Sequence, residues 1–226
     1  MRLRNIPEAK TVVANSRFVV QEPESRKGSW KTDGRELMIE IGMGKGKFII
    51  EQAQQHPETD FLGIERYESV LFRACNQMEG IPVRRPGEPE QPEAFIAPQN
   101  LKFLSMDARL LPDVFADGEV DRIFLNFSDP WPKARHAKRR LTYRDFLKLY
   151  EQVLKIGGMV EFKTDNRPLF DFSVEEFREY PGFELQSVSY DLHRDPELMK
   201  DNIMTEYEKK FSALGNKICR LTAVRL

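Results

Sequence analysis

Apolar runs of strand length alternate with stretches of helical spacing along most of the chain. The runs "ELMIEIG" (36–42), "DFLGIE" (60–65), "LKFLSMD" (101–107), "VDRIFLNF" (120–127) and "GMVEFKTD" (158–165) predict five strands. "ELQSVSYDL" (184–192) and "KICRLTAVRL" (217–226) predict two more. Between the early runs, Phe48, Ile49, Gln52 and Ala53 recur at helical spacing. Such alternation with short connections implies an α/β fold, with a mostly parallel sheet and helices on both faces. Thr142 and Asp145 form a capping-box pattern ahead of a stripe of Phe146, Tyr150, Val153 and Leu154, and Gly157 and Gly158 are expected to end that helix. Another helix is expected from Asn166-Arg167-Pro168, with proline at an early helical position. No clear helix separates the last two strands, so the sheet is expected to finish antiparallel.

The 226 residues suit one fairly large domain at 36–226, preceded by a short segment at 1–35 with eight Lys/Arg against four Asp/Glu. This segment reads as a basic N-terminal arm. Inside the domain, "GIPVRRPGEPEQPEAFIAPQ" (80–99) reads as a proline-rich loop. No stretch has the apolar length of a membrane span, and the first 30 residues lack the core of a signal peptide. Two cysteines, Cys75 and Cys219, make no CxxC pair, and the three histidines lie in unrelated segments, so no metal is expected. A cytoplasmic protein is expected, as a monomer or homodimer.

Chemistry enters with "EIGMGKGKF" (40–48), which follows the first strand and opens a helix. Gly42, Gly44 and Gly46 permit a tight turn whose backbone a ligand can approach closely. The spacing fits neither a P-loop nor GxGxxG, so a nicotinamide cofactor is not the preferred ligand. Three acids sharpen the choice. Glu40 lies in the first strand's end, Glu65 ends the second strand where it can accept ribose hydroxyls, and Asp107 ends the third, where an adenine would lie. Carboxylates in that series repel a pyrophosphate. They suit a ligand with a ribose, an exocyclic amine and positive charge, as in S-adenosylmethionine.

The stretch "NFSDPWPKARHAKRR" (126–140) then sets a rigid acidic turn ahead of a basic run. Asp129 emerges at the fourth strand's carboxyl end, where open α/β sheets bind ligands. Pro130 and Pro132 restrict themselves and their neighbours, which holds Asp129 and Trp131 in one pose. Trp131 either offers its face to a base or is buried in the turn. From Lys133 to Arg140 the chain places five Lys/Arg and one His, although the protein as a whole has 35 basic and 36 acidic side chains. Local stability gives no reason for that cluster before a helix N-terminus, whereas a phosphate backbone does.

These segments carry a resemblance. "EIGMGKGKF", "GIERYESVL", "NFSDPWPKARHAKRRL", "FKTDN" and "TEYEKKF", in this order, resemble the tRNA (guanine-N7-)-methyltransferase family over about residues 36 to 226. The resemblance implies a Rossmann-like class I methyltransferase fold with a seven-stranded sheet. It also implies S-adenosylmethionine as cofactor and a guanine in the tRNA variable loop as target. By the same resemblance, Glu40, Glu65, Asp107 and Asp129 line the methyl-donor site with the three glycines, Asp129 being the catalytic residue. Lys133 and Asp165, with Thr205, Glu206, Tyr207 and Glu208, contact the target guanosine. Arg135, His136, Lys138, Arg139 and Arg140 face the RNA. Two rivals remain open: methylation of an exocyclic amine, because "DPWP" loosely resembles the Asn/Asp-Pro-Pro-aromatic motif, and a non-catalytic RNA-binding module.

Overall fold

The computed structural model describes residues 6–32, 34–81 and 95–226. In chain order its elements are α1 (Ala9–Asn15), β1 (Leu37–Ile41), α2 (Lys47–Gln55), β2 (Asp60–Ile64), α3 (Glu68–Met78), β3 (Leu101–Leu104) and α4 (Leu111–Val114). There follow β4 (Val120–Asn126), α5 (Arg144–Val153), β5 (Leu154–Thr164), α6 (Arg167–Glu179), β6 (Phe183–Ser189), α7 (Pro196–Met199), α8 (Glu206–Ala213) and β7 (Cys219–Arg225). The strands form one sheet in the order β3-β2-β1-β4-β5-β7-β6. All pairs are parallel except those of β7, which runs antiparallel to both β5 and β6. The expected architecture, antiparallel finish included, is therefore the observed one.

Side-chain alternation divides the core into layers. Leu37, Ile39 and Ile41 of β1, with Leu62, Ile64, Ile123, Leu125, Val160 and Phe162, pack under α4, α5 and α6 through residues such as Leu111, Phe146, Tyr150 and Phe170. The opposite face carries Phe61, Leu101 and Phe103 against Val13 of α1, Ile49 and Ala53 of α2, and Leu71 and Ala74 of α3. A smaller cluster on the α2 side joins Phe48, Phe124 and Ile203. Chain order reverses between β1 and β4. The crevice of such a sheet opens at the strands' carboxyl ends at that point.

The described part of the N-terminal segment packs on this domain. Phe103 N donates to Phe18 O (2.7 Å) and Val20 N to Phe103 O (3.0 Å), so residues 18–20 cover the outer edge of β3. Trp30 is buried, its indole N–H donating to Val114 O (2.8 Å) and its backbone N–H to Glu119 Oε1 (2.8 Å). Most of the proline-rich loop, residues 82–94, lies outside the described residues. No described helix is long and apolar enough to cross a membrane.

Three local expectations are corrected. Thr142 does not cap α5: its buried hydroxyl pairs with Ser173 Oγ at 2.7 Å. The first turn is capped from α6 instead, where Glu176 Oε2 accepts from Arg144 N (2.8 Å) and Nε (3.1 Å). Gly157 and Gly158 do not end α5, which stops at Val153 and passes directly into β5. They lie in an outward bulge, where the partners of Val120 and Arg122 are Leu154 and Met159. A side chain at Gly158 would meet Lys155 O at 2.8 Å. Finally, α7 and α8 do lie between β6 and β7. They escape the apolar pattern because α7 buries nothing and α8 buries only Glu208.

The glycine turn depends on a glycine outside it. A Cβ on Gly63 of β2 would lie 2.2 Å from Met43 Sδ and 3.1 Å from Phe103 Cδ1. Gly63→Ala is therefore expected to destabilise the protein by about 1–3 kcal/mol, as overpacking does. Because Met43 belongs to the turn, the substitution should weaken binding there too. Urea denaturation and ligand titration check both; wild-type values would show that Met43 relocates freely.

Candidate functional site

At the end of β1 the chain turns through Gly42, Gly44 and Gly46, with φ of 74°, 61° and 79°. Side chains rarely adopt such φ values, which is why this turn needs glycine. Gly42 N and Met43 N both donate to Ile64 O, at 2.9 and 3.1 Å, locking the turn against β2. No atom lies within 4 Å of a Cβ built on Gly44, so the backbone there faces open space. Glu65, directly after β2, braces the turn from beside it. Its Oε2 accepts from Gly44 N (3.2 Å) and its Oε1 from Tyr67 N (3.0 Å). Burial pushes its carboxyl above the ordinary value. Asp107 comes three residues after β3, caps a short 3-10 turn through Arg109 N (3.0 Å), and pairs with the Arg109 guanidinium at 3.0 Å.

A row of polar side chains crosses the sheet on its α2 side. Glu40 of β1 is buried, and its Oε1 accepts from Asn126 Nδ2 of β4 at 2.9 Å. Its Oε2, like Asn126 Oδ1, has no hydrogen-bond partner among the described residues. Burial without a full set of partners pushes the Glu40 carboxyl up to about 8. Lys163 of β5, paired in register with Asn126, is fully buried. Its ammonium donates to Asn202 Oδ1 (2.9 Å), Ile203 O (3.0 Å) and Glu208 Oε2 (3.0 Å).

Glu208 is fully buried as well, and its Oε1 takes Asn202 Nδ2 (2.7 Å) and His193 Nε2 (3.0 Å). That differs from the expectation of a guanosine contact, because both carboxylate oxygens are committed internally. Its neighbours do reach the surface side: Glu206 pairs with Lys45 of the glycine turn at 2.8 Å, and Tyr207 is 47% exposed. Thr205 starts α8 as its N-cap, its hydroxyl accepting from Glu208 N (2.9 Å).

After β4 the backbone enters the acidic turn under strain. Phe127 and Trp131, two residues before and two after Asp129, have φ of 50° and 43°. For side-chain-bearing residues this left-handed region costs roughly 1–2 kcal/mol each. Phe127 is held by its N–H on Lys163 O (2.8 Å) and by a stacked ring contact with Tyr207 at 6.2 Å. Trp131 is half-buried, with Arg139 over its ring at 4.9 Å and His136 edge-on at 5.7 Å. Asp129 itself is exposed and has no hydrogen-bond partner among the described residues. Arg135, Lys138 and Arg139 are exposed on a 3-10 turn, Ala134–Arg139, that buries nothing, and exposed Lys133 is its N-cap residue. Arg140 is half-buried and turned back onto the acidic turn. Asp165, directly after β5, accepts from Asn216 Nδ2 at 3.0 Å.

The carboxyl ends of β3, β2, β1, β4 and β5 thus carry Asp107, Glu65, Glu40, Asp129 and Asp165 in succession along one sheet edge. Asn126, Lys163 and Lys45 were not singled out by sequence reasoning, although all three stand inside the quoted motifs. A lysine and an asparagine at the ends of apolar strands, on the same face as Glu40, were the available signals.

Comparison with known proteins fixes the ancestry. A family model described as a putative methyltransferase matches residues 34–221. A tRNA (guanine-N(7)-)-methyltransferase of Lachnoclostridium phytofermentans is 49% identical over all of this chain and 99% of its own length. Proteins of the same name from Geobacillus kaustophilus and Bacillus subtilis are 48% and 46% identical, covering 97% or more of both chains. Among solved structures, the 16S rRNA methyltransferase KamB superposes over 100% of this chain and 97% of its own, with a TM-score of 0.59 at 15% identity, a likeness of fold alone. Near-half identity sustained from end to end settles the relationship: the chain belongs to the tRNA (guanine-N(7)-)-methyltransferase family.

Proposed function

We propose that this enzyme transfers the methyl group of S-adenosylmethionine to N7 of a guanine in the tRNA variable loop, in the cytoplasm. The observation that carries the donor side is the buried Glu40 Oε2, which lacks a partner next to an open glycine turn. A buried carboxyl in that state stays neutral until a cation arrives to pair with it. Glu40 is assigned the donor's ammonium, Glu65 its ribose hydroxyls, Asp107 its adenine amine, and Gly42, Gly44 and Gly46 the close backbone approach. When bound, the donor supplies an electrophilic methyl on its sulfonium.

On the acceptor side, guanine N7 holds its lone pair in the base plane, so no residue has to remove a proton. Alignment is the enzyme's main task. The exposed carboxylate of Asp129 is assigned to accept from the guanine N1–H and N2 amine and to stabilise positive charge growing on the ring. Asp165 is assigned as the second acceptor, and Lys133 is assigned to the same guanosine. Tyr207, stacked between Phe127 and Phe211 at 6.2 and 6.0 Å, extends an aromatic surface for the base. Glu208 holds the 205–207 segment in place through Lys163. The exposed cations Lys133, Arg135, Lys138 and Arg139, with His136, meet the tRNA phosphates.

Labelled methyl transfer to unmodified tRNA, followed by nucleoside analysis, is expected to give 7-methylguanosine. A tRNA carrying 7-deazaguanosine at the target keeps its Watson–Crick edge and should bind yet accept nothing. Asp129→Ala should retain tRNA binding and lose a hundredfold or more in turnover, about 3 kcal/mol of transition-state stabilisation. Label on an exocyclic amine would overturn the N7 reading in favour of amine methylation.

Glu40 generates a proton-linkage prediction. With its carboxyl raised to about 8, the side chain is mostly protonated at pH 7, whereas an ammonium requires the carboxylate. Donor binding at pH 7 should be accompanied by proton release, measured by calorimetry in buffers of different ionisation enthalpy. Glu40→Gln should bind more weakly and release none. In the donor-free protein the raised value favours the folded state below the ordinary 4.5, an advantage lost as pH rises through about 8. Donor binding by the wild type without proton release would remove Glu40 from this role.

A further inference from the structure

Arg140 stands apart from the basic run it ends. Its neighbours Lys138 and Arg139 are exposed, whereas Arg140 is half-buried and folded inward. Its Nε donates to Pro130 O and its Nη2 to Trp131 O, both at 3.1 Å. The guanidinium also lies over the ring of Phe172 at 4.3 Å. Phe172 belongs to α6, packs against the main core, and stacks on Tyr143 with ring planes 4° apart. One planar fork therefore links two successive carbonyls of the acidic turn to the body of the domain.

Those carbonyls belong to the two residues that follow Asp129, and the second is Trp131 at φ 43°. A bulky residue in that region persists only where its surroundings over-determine it. On the near side of Asp129 that support comes from β5, through Phe127 N on Lys163 O at 2.8 Å. On the far side the backbone's support is the Arg140 fork. A phosphate that recruited Arg140 would take the fork from both carbonyls and free the turn to relax.

We propose that Arg140 is a positioning residue for the methyl transfer: it clamps the strained Asp129–Trp131 turn against α6 and makes no contact with tRNA phosphate. The proposal rests on the reading of Asp129 as the group that faces guanine. It separates Arg140 from Arg139, which the sequence placed together on the RNA.

The test compares Arg140→Gln, Arg140→Lys and Arg139→Ala with the wild type. Four quantities are read: the single-turnover rate with both substrates saturating, the salt dependence of tRNA binding, the melting temperature, and acrylamide quenching of tryptophan fluorescence. Buried Trp30 gives a constant background to the last, so changes report Trp131. Arg140→Gln should lower the rate at least tenfold, leave the log–log salt slope unchanged, and make Trp131 more quenchable. Arg140→Lys keeps a cationic stem over Phe172 and one reachable carbonyl, so it should fall between. If the Gln variant does not fold, the Lys variant decides by the same readings. Arg139→Ala should reduce the slope by about 0.7–0.9. A like fall in slope for the Arg140 variants, with the rate intact, would assign Arg140 to phosphate and overturn the proposal. A lowered melting temperature with wild-type rate and quenching would overturn it too, by reducing the clamp to packing. Should the wild type fail to methylate guanine N7, the functional reading falls, while quenching still reports whether Arg140 holds the turn.

Discussion

A buried ion pair fixes the 202–208 connection against β5. Lys163 and Glu208 are both fully buried, 3.0 Å apart, and each uses its remaining capacity on Asn202, Ile203 O or His193. Taking two charges out of water is costly, and such pairs are seldom better for stability than a hydrophobic pair of the same volume. What the pair supplies is placement. Breaking it leaves one uncompensated charge inside, at about 3–5 kcal/mol, so the 202–208 connection has one arrangement over β5. The same ammonium lowers the cost of ionising Glu40 of β1, so the anchor of this connection also acts across the sheet. The Lys45–Glu206 pair ties the connection to the glycine turn at the surface.

The two binding turns reach left-handed backbone by opposite means. The turn after β1 uses glycines, for which the conformation is free of a Cβ clash, and it leaves open space at Gly44. The turn after β4 uses Phe127 and Trp131, for which it is strained, and needs external support from β5 and α6. The first geometry suits a ligand that approaches backbone. The second suits a side chain that has to be aimed, because the strain imposed at each Cβ is held by the bonds from Lys163 O and Arg140 and by the ring contacts with Tyr207, His136 and Arg139.

The fold and the line of carboxylates were legible because both follow from local rules. Strand-length apolar runs gave the sheet, and Glu40, Glu65 and Asp129 were visible as acids where such runs stop. The misses share a cause: a side chain engaged by a distant partner. Thr142 looked like a cap but is taken by Ser173, 31 residues away. Gly157 and Gly158 looked like a helix end but serve a bulge whose need arises from Asp121 on the neighbouring strand, with Asp121 O 3.1 Å from a Cβ on Gly158. Helix α8 turns inward a charged residue, Glu208, whose partner stands 45 residues earlier. No local pattern records such a pairing. Arg140 is the instructive case, since its run announced charge and gave no sign that one member faces inward.

The position of β7 constrains how the molecule is made. It is the last strand in sequence, yet it lies inside the sheet, between β5 and β6. During synthesis, at roughly 5–20 residues per second, β1 to β5 emerge first and can pair among themselves. β6 then has no neighbour to join until Cys219–Arg225 arrives to bridge it to β5. In that interval the flank of β5 bearing Lys163 is an open edge, and the 202–208 connection has no finished surface to settle on. A nascent chain stopped before β7 would hold the glycine turn and the acidic turn but not the finished surface on which the 202–208 connection rests. The 202–208 connection thus settles in a single late step, once β7 has joined β6 to β5.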